Sequence, residues 1–436
     1  MYQVNLEQTN KIFFLGIGGI GMSALARAMH HAGKIVLGSD ISENKIVDDL
    51  RNEGYLIHIG QHIEDIPSDV NLIVYSEAIE DFHPEFLGKL RSRFFVPIIS
   101  YPQMLGVFSQ DKFTIAIAGT HGKTTTTGMI GTMLVDTKQS PTVIVGSILA
   151  REQSNFIAGT SDVIVVESCE YKRSFLNVNP KILVITNIER DHMDYYKDLE
   201  DIKNAFHELA LKVPETGFII TDTHNETVAD VMKDVRAKVI DYRDYRDENL
   251  KLKVPSDYNI SNAACALAVA DILKLDGINA RLSLENFQGT WRRFEYKGKT
   301  KHDALVYDDY AHHPTEISSM LTAMHIMFPE KDIIAIFEPH LFSRTKSLLS
   351  EFATSFMLAH DVVLVPIYHA REEDDGSISS EMLGQKIQEH NARVFVARNY
   401  DQALEHIEMH NTSNTIIVTV GAGPVYEIGE RFLKTH

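Results

Sequence analysis

The chain has 436 residues, 44% of them apolar and 23% charged. That length suggests about three domains, and the composition is that of a soluble protein able to bury several cores. The 42 basic residues against 60 acidic ones leave a net charge of −18, which argues against non-specific nucleic-acid or anionic-membrane binding. A polyanionic ligand remains compatible, because a few local N–H groups and cations suffice to hold it.

No apolar run approaches the roughly 18 residues of a membrane span. The N-terminus carries Glu7 and no basic segment, and its apolar stretch runs into a glycine-rich turn. It reads as a first strand rather than a signal peptide. Two cysteines, Cys169 and Cys265, suit a reducing compartment and build no disulfide framework. A cytoplasmic enzyme or binding protein is expected.

Short β-branched runs alternate with longer amphipathic stretches, the pattern of βαβ units and parallel sheets. Residues 11–15, 34–37 and 71–75 read as strands of a first series, with a helix over 21–32. A second series includes 113–118, 162–166 and 181–186, and a third 304–307, 332–337, 361–366 and 415–420. Polar joints at 109–112 and around 289–303 separate them. The expected organisation is three α/β domains, at 1–109, 110–290 and 291–436.

The first strand runs into Gly16-Ile17-Gly18-Gly19-Ile20-Gly21, with Asp40 at the end of the next strand. This is the dinucleotide-binding fingerprint, whose glycines let backbone amides approach a diphosphate at a helix N-terminus. Alone it suggests a nicotinamide or flavin enzyme, and it leaves the identity of the diphosphate open. The next loop says more. Gly119-Thr120-His121-Gly122-Lys123-Thr124-Thr125 follows an apolar strand and opens a helix. Its N–H groups suit phosphates, Lys123 the β- and γ-phosphates, and the Thr124 hydroxyl a Mg²⁺ ion. With Ile117 at the first glycine position of the strict phosphate loop, it is a shortened variant. A purely structural loop is disfavoured, because a lysine buried beside such a turn is costly without an anion.

Glu167 ends a strand, where doubly wound sheets bind ligands, and is the best candidate to complete a Mg²⁺ site. His192, in Asn187-Ile188-Glu189-Arg190-Asp191-His192, is a weaker one: imidazole is an uncommon Mg²⁺ ligand, and a lone histidine is more often merely hydrogen-bonded. Three clusters follow in the last third: Trp291-Arg292-Arg293, Tyr307 to Glu316, and Glu338 to Thr345. One arginine of the first pair suits a γ-phosphoryl clamp, and Arg344 suits a substrate carboxylate held bidentately. Hydride transfer needs no Gly-Lys-Thr loop, and a plain ATPase needs no dinucleotide-type turn. Ligation through an acyl phosphate uses all of these features.

The motifs at 16–23, 119–127, 167–171, 186–194, 259–264, 292–295, 308–316 and 339–345 fall in the order found in the Mur ligases, and from about residue 11 onward the chain resembles that family. The strings Gly-Thr-His-Gly-Lys-Thr-Thr and Asp-Tyr-Ala-His-His-Pro-Thr-Glu carry the resemblance. It implies a Rossmann-like N-terminal domain for the UDP end of a sugar nucleotide, a P-loop-type central ATPase domain, and a Rossmann-like C-terminal domain for an amino acid. It also implies ATP-dependent joining of L-alanine to the lactyl carboxylate of UDP-N-acetylmuramate, in peptidoglycan precursor synthesis, with ATP and Mg²⁺ as cofactors.

On the same resemblance, Gly18, Gly19, Gly21, Ser39, Asp40 and Ser76 serve the UDP-sugar. Gly119 to Thr125, Asn259, Asn262, Arg293 and Asp308 serve ATP. Thr124, Glu167 and His192 serve the metal, and His312, His340 and Arg344 the alanine and the reacting carboxylate. Lys123, His192, Arg293 and His312 form the expected catalytic set, with His312 as the base. Phe13, Leu341, Pro424 and Ser256-Asp257-Tyr258 depart from the commoner family pattern. The partners implied are small molecules, with no nucleic acid and no membrane span; self-association to a homo-oligomer stays open. A muropeptide-recycling ligase, a folylpolyglutamate synthase, an inactive nucleotide-binding regulator and a dehydrogenase are the rival readings.

Overall fold

The computed structural model describes residues 4–254, 256–370, 372–390 and 393–435. Contacts gather the chain into two units. One holds Met1–Ile188, Asp201–Tyr245 and Ala263–Leu284; the other holds Glu189–Glu200, Arg246–Asn262 and Glu285–His436. No helix among the described residues is long and apolar enough to cross a membrane.

The first unit contains two sheets. Strands β1 (Lys11–Leu15), β2 (Ile35–Asp40), β3 (Leu56–Ile59), β4 (Leu72–Tyr75) and β5 (Ile98–Ser100) pair in the order β3-β2-β1-β4-β5, all parallel. In β1, Ile12, Phe13, Phe14 and Leu15 are all fully buried, as expected of a central parallel strand covered on both faces. The order reverses between β1 and β4. In a doubly wound sheet that crevice is where ligands bind, at the carboxyl ends of the strands, and the glycine turn after β1 opens there.

The second sheet is built from β6 (Phe113–Ala118), β7 (Thr142–Leu149), β8 (Ser154–Ile157), β9 (Val163–Glu167), β10 (Ile182–Ile185), β11 (Phe218–Thr221) and β12 (Lys238–Asp241). Their order is β12-β11-β10-β6-β9-β7-β8, with only the edge strand β8 antiparallel. Edge strand β8 fastens this sheet to the first. The buried Asn155 side chain donates to the Ile20 carbonyl at 2.6 Å and to Ser23 Oγ at 2.8 Å. Its own oxygen accepts from Arg27 Nη1 at 2.6 Å. These bonds hold the helix Ile20–His31, the one that the glycine turn opens.

The second unit carries β13 (Glu295–Lys299), β14 (Leu305–Asp309), β15 (Asp332–Phe337), β16 (Asp361–Leu364), β17 (Val394–Val396) and β18 (Thr415–Val420). The order is β13-β14-β18-β15-β16-β17, and only β13 is antiparallel. Successive side chains of a strand point to opposite faces. Ile333, Ala335 and Phe337 therefore pack with Phe352 and Phe356 on one side, while Ile334 and Ile336 pack with Ile428 and Phe432 on the other.

Candidate active site

In the first unit, the turn after β1 folds onto β2. The Gly16 and Ile17 amides donate to the Ser39 carbonyl at 2.8 and 3.1 Å, and the Gly18 amide donates to Asp40 Oδ2 at 2.8 Å. A Cβ on Gly21 would lie 2.7 Å from the Tyr101 ring, so only glycine lets the helix come that close. Gly19 caps this helix without a side-chain bond. Ser76 precedes the helix Glu77–Phe82, and its amide donates to the Leu15 carbonyl at 3.0 Å.

The phosphate-type loop follows β6. Gly119 has φ +138°, and a Cβ there would fall 2.0 Å from Thr186 Oγ1. Gly122, at φ +82°, opens the helix Lys123–Asp136 with no side-chain cap, which leaves the first-turn amides to another acceptor. Residues at the end of β10 brace the loop. The Asn187 side chain accepts from the His121 amide at 2.9 Å and donates to the His121 carbonyl at 3.0 Å, while its carbonyl accepts from the Thr120 amide at 3.1 Å.

Lys123 Nζ donates to the Gly119 and Thr120 carbonyls at 2.6 and 3.0 Å and pairs with Glu170 at 2.9 Å. Burial works to lower its pKa, but the carboxylate of Glu170 outweighs that and keeps the ammonium charged. Beside it, Thr124 Oγ1 donates to Glu167 Oε1 at 2.9 Å, and the Gly146 amide donates to Glu167 Oε2 at 2.7 Å. The hydroxyl and carboxylate at the mouth of a phosphate-type loop are the hard oxygen donors that Mg²⁺ takes, so the residues fit that ion. Thr125 follows, half-buried.

The second unit gathers another group around Asp191. Arg344, 8% exposed, donates to Asp191 Oδ1 from Nη2 at 2.8 Å and from Nε at 3.3 Å. Its Nη1 lies 3.2 Å from His340 Nδ1. Burial would raise the Asp191 carboxyl, but Arg344, His192 and His312 hold it well below the usual carboxylate range. The His192 amide donates to Asp191 Oδ1 at 2.7 Å, with His192 itself at φ +53°. Asp191, His192 and Arg344 share a small pocket with Leu341 and Ser343.

His312 stands in the same group. Its Nδ1 lies 2.9 Å from the Tyr310 carbonyl, and its ring centroid is 6.0 Å from that of His340. The carbonyl assigns the proton to Nδ1 and leaves Nε2 with a lone pair. Burial, opposed by Glu316 and reinforced by Arg344, pushes the imidazole down to about 4, so it is neutral at neutral pH. Asn262, 7% exposed, donates to Asn259 Oδ1 at 3.2 Å, and Asn259 donates to the Val254 carbonyl at 3.1 Å.

The adjacent arginines take different places. Arg292 is 3% exposed. It donates to Asp308 Oδ2 at 2.8 Å and to the Gly423 and Gly421 carbonyls at 2.8 and 2.6 Å, with the Tyr310 and Tyr426 rings within 5.1 and 4.7 Å. Thr419 donates to the other Asp308 oxygen at 2.6 Å. The Asp308 carboxylate is thus bonded inside the unit at 1% exposure rather than presented to a ligand. Arg293 is more exposed, 3.5 Å from Glu316 and 5.1 Å from the Tyr310 ring centroid.

Lys123, Thr124 and Glu167 therefore stand together in the first unit, and His192, His312, His340 and Arg344 in the second. Sequence reasoning gave no individual role to Asn187, Glu170 or Asp191, and weighed Arg292 only as one of a pair with Arg293. For Asn187 and Asp191 the available signal was position, in the polar string directly after an apolar strand. Glu170 lies three residues beyond Glu167.

Glu338, at the end of β15, is 3% exposed and accepts a hydrogen bond from the Tyr400 hydroxyl. Burial pushes its carboxyl from 4.5 up to about 7. The folded state thus holds this proton where the unfolded chain has lost it, and the stability it contributes disappears as pH rises through 7. Glu338→Gln is expected to gain up to about 3 kcal/mol over the parent above that pH, and little near pH 5. Thermal melts at both pH values check this; an equal shift at both would contradict it.

Residues 11–113 match the Mur ligase family catalytic domain, 117–249 the Mur ligase middle domain, and 292–423 the Mur ligase glutamate ligase domain. The UDP-N-acetylmuramate–L-alanine ligase of Clostridium tetani is 37% identical over 456 aligned residues, covering 98% of this chain and 99% of that protein. The crystal structure of the UDP-N-acetylmuramate–alanine ligase of Thermotoga maritima matches with a TM-score of 0.81 at 28% identity, over 98% of each chain. A murein peptide ligase from Psychrobacter arcticus shares the fold at a TM-score of 0.72 and 24% identity, again over 98% of each chain.

Proposed function

The chain belongs to the Mur ligase family, and from that premise we propose that it joins L-alanine to the lactyl carboxylate of UDP-N-acetylmuramate at the expense of ATP. The product is a precursor of peptidoglycan. The observation that carries this reading is the 37% identity, over 98% of this chain, with the UDP-N-acetylmuramate–L-alanine ligase of Clostridium tetani.

The paired Lys123 and Glu170 support a role for the loop Gly119 to Thr125 in holding ATP phosphates, with Lys123 exchanging its carboxylate for phosphate oxygens. Thr124 and Glu167 would hold Mg²⁺, which when bound supplies positive charge to the β- and γ-phosphates, and His192 would serve a metal from the second unit. Gly18, Gly19, Gly21, Ser39, Asp40 and Ser76 serve the UDP end of the sugar nucleotide. Asn259 and Asn262 serve the adenine. His340 and Arg344 receive the carboxylate of the incoming alanine.

The lactyl carboxylate attacks the γ-phosphorus in line, and ADP leaves. Lys123 and Arg293 answer the charge that spreads over the transferring oxygens. The neutral amine of alanine then attacks the acyl carbon, and the tetrahedral intermediate expels phosphate. His312, neutral with its Nε2 lone pair available, takes the proton that the amine gives up. His312→Ala is expected to lower ligation by about 10² to 10⁴-fold while ATP binding, followed by calorimetry, stays near that of the parent. Unchanged turnover would remove His312 from the mechanism.

The acyl phosphate is tested with UDP-N-acetylmuramate carrying ¹⁸O in its carboxylate. One labelled oxygen is expected in the released phosphate, because the carboxylate oxygen that attacks phosphorus departs with it. Unlabelled phosphate accompanied by product would exclude the intermediate.

A further inference from the structure

The third sheet carries a cluster of side chains that the ligation chemistry leaves unused. Strands β14, β15 and β16 run in one direction, so His312 and His340 follow their carboxyl ends. Asp361 is the first residue of β16 and lies at the opposite end. The helix Tyr400–Glu408 packs on this sheet through Ala403 and Ile407 and ends beside Asp361. His406 Nε2 is 2.8 Å from Asp361 Oδ2. His410, four residues on, places its Nδ1 3.0 Å from the His406 carbonyl, with the two imidazole centroids 4.9 Å apart. One ligand-type atom from each of the three residues lies within 4.8 Å of the other two.

Three features of this cluster favour a cation. Asp361 is 4% exposed, and its second oxygen, Oδ1, is buried with no hydrogen-bond partner, an arrangement that is costly unless something positive satisfies it. The carbonyl at His410 Nδ1 assigns the proton there and leaves Nε2 as a lone-pair donor, the tautomer of a metal-bound imidazole oriented by its other nitrogen. The cluster also sits at a helix C-terminus, the negative end of the helix dipole. Phe395 stacks flat on His406 at 4.3 Å and fixes that ring.

We propose that Asp361, His406 and His410 bind a divalent transition-metal ion of the zinc class, fastening the start of β16 to the helix Tyr400–Glu408. Two imidazole nitrogens and one carboxylate oxygen, with water in the remaining position, form a donor set suited to Zn²⁺ rather than to Mg²⁺ or Ca²⁺.

The test titrates ZnCl₂ into the metal-stripped full chain by calorimetry, in excess Mg²⁺ so that hard-oxygen sites are already filled. The half-buried His410→Ala and the near-isosteric Asp361→Asn are titrated in parallel. The parent is expected to bind one equivalent and to melt at a higher temperature with Zn²⁺. Each variant should bind at least about tenfold more weakly and lose the thermal shift, with an unchanged circular dichroism spectrum without metal. Co²⁺ should give visible absorption bands with the parent that fade in His410→Ala, and ligase turnover in that variant should match the parent. Failure of the parent to bind Zn²⁺, or equal affinity in the parent and both variants, would overturn the proposal.

Discussion

Replacing Lys123 with methionine is expected to lower kcat for ligation by about a thousandfold. The ammonium group is charged, half-buried and bonded to two loop carbonyls at the mouth of the phosphate-type loop. Methionine keeps the length and the apolar stem and deletes only the charge and its three donors. The substitution also takes from Glu170, 3% exposed, its lysine partner, and breaking a buried pair from one side costs about 3–5 kcal/mol. Activity loss must therefore be separated from unfolding. In the double variant Lys123→Met with Glu170→Gln, no buried carboxylate is left behind, and the thermal midpoint should return most of the way to that of the parent. Turnover should stay near the level of the single variant. Recovery of ligation together with stability would mean that Lys123 is structural.

Arg292 and Arg293, adjacent in sequence, are expected to fail in opposite ways. Arg292→Ala removes the donor to Asp308 and to two carbonyls in a site that water does not reach, so it should destabilise the second unit by about 3–5 kcal/mol. Arg293→Ala removes a partly exposed guanidinium whose ion pair with Glu316 is 3.5 Å long, and pairs of that kind are worth less than about 1 kcal/mol. Its loss should leave the melt nearly unchanged and lower kcat by about a hundredfold, the effect of removing one donor to developing charge. Thermal melts and steady-state kinetics on both variants separate the two roles. A stable but inactive Arg292→Ala beside an active Arg293→Ala would exchange the assignments.

The central strands were legible because burial on both faces writes them as mostly apolar runs. Phe113 to Ala118, Asp332 to Phe337 and Thr415 to Val420 have the bounds expected of them. Edge strands carry no such mark. β3, β8 and β17 are three or four residues long, and β13 reads Glu-Tyr-Lys-Gly-Lys, overlapping a stretch that looks like a polar joint. Pairing to one neighbour, not hydrophobicity, makes these residues strands.

The candidate site divides along a similar line. The loop around Lys123 could be read because its constraints are local: a glycine at positive φ, a lysine, and a hydroxyl one residue later. The partners that hold the side chains of both groups are distant in the chain. Asp191 lies 153 positions from Arg344, Asn187 lies 66 from His121, and Glu170 lies 47 from Lys123. Local pattern cannot supply such pairings. Nor can it separate Arg292 from Arg293, which differ only in the direction the backbone sends each side chain.

The most direct test of the proposed ligation is phosphate release from ATP in the presence of UDP-N-acetylmuramate, with L-alanine, glycine, L-serine or a muropeptide tripeptide supplied in parallel. Release should require an acceptor and be fastest with L-alanine, and mass spectrometry should find UDP-N-acetylmuramyl-L-alanine. Release with the tripeptide but not with L-alanine, or no release with any acceptor, would contradict the assignment.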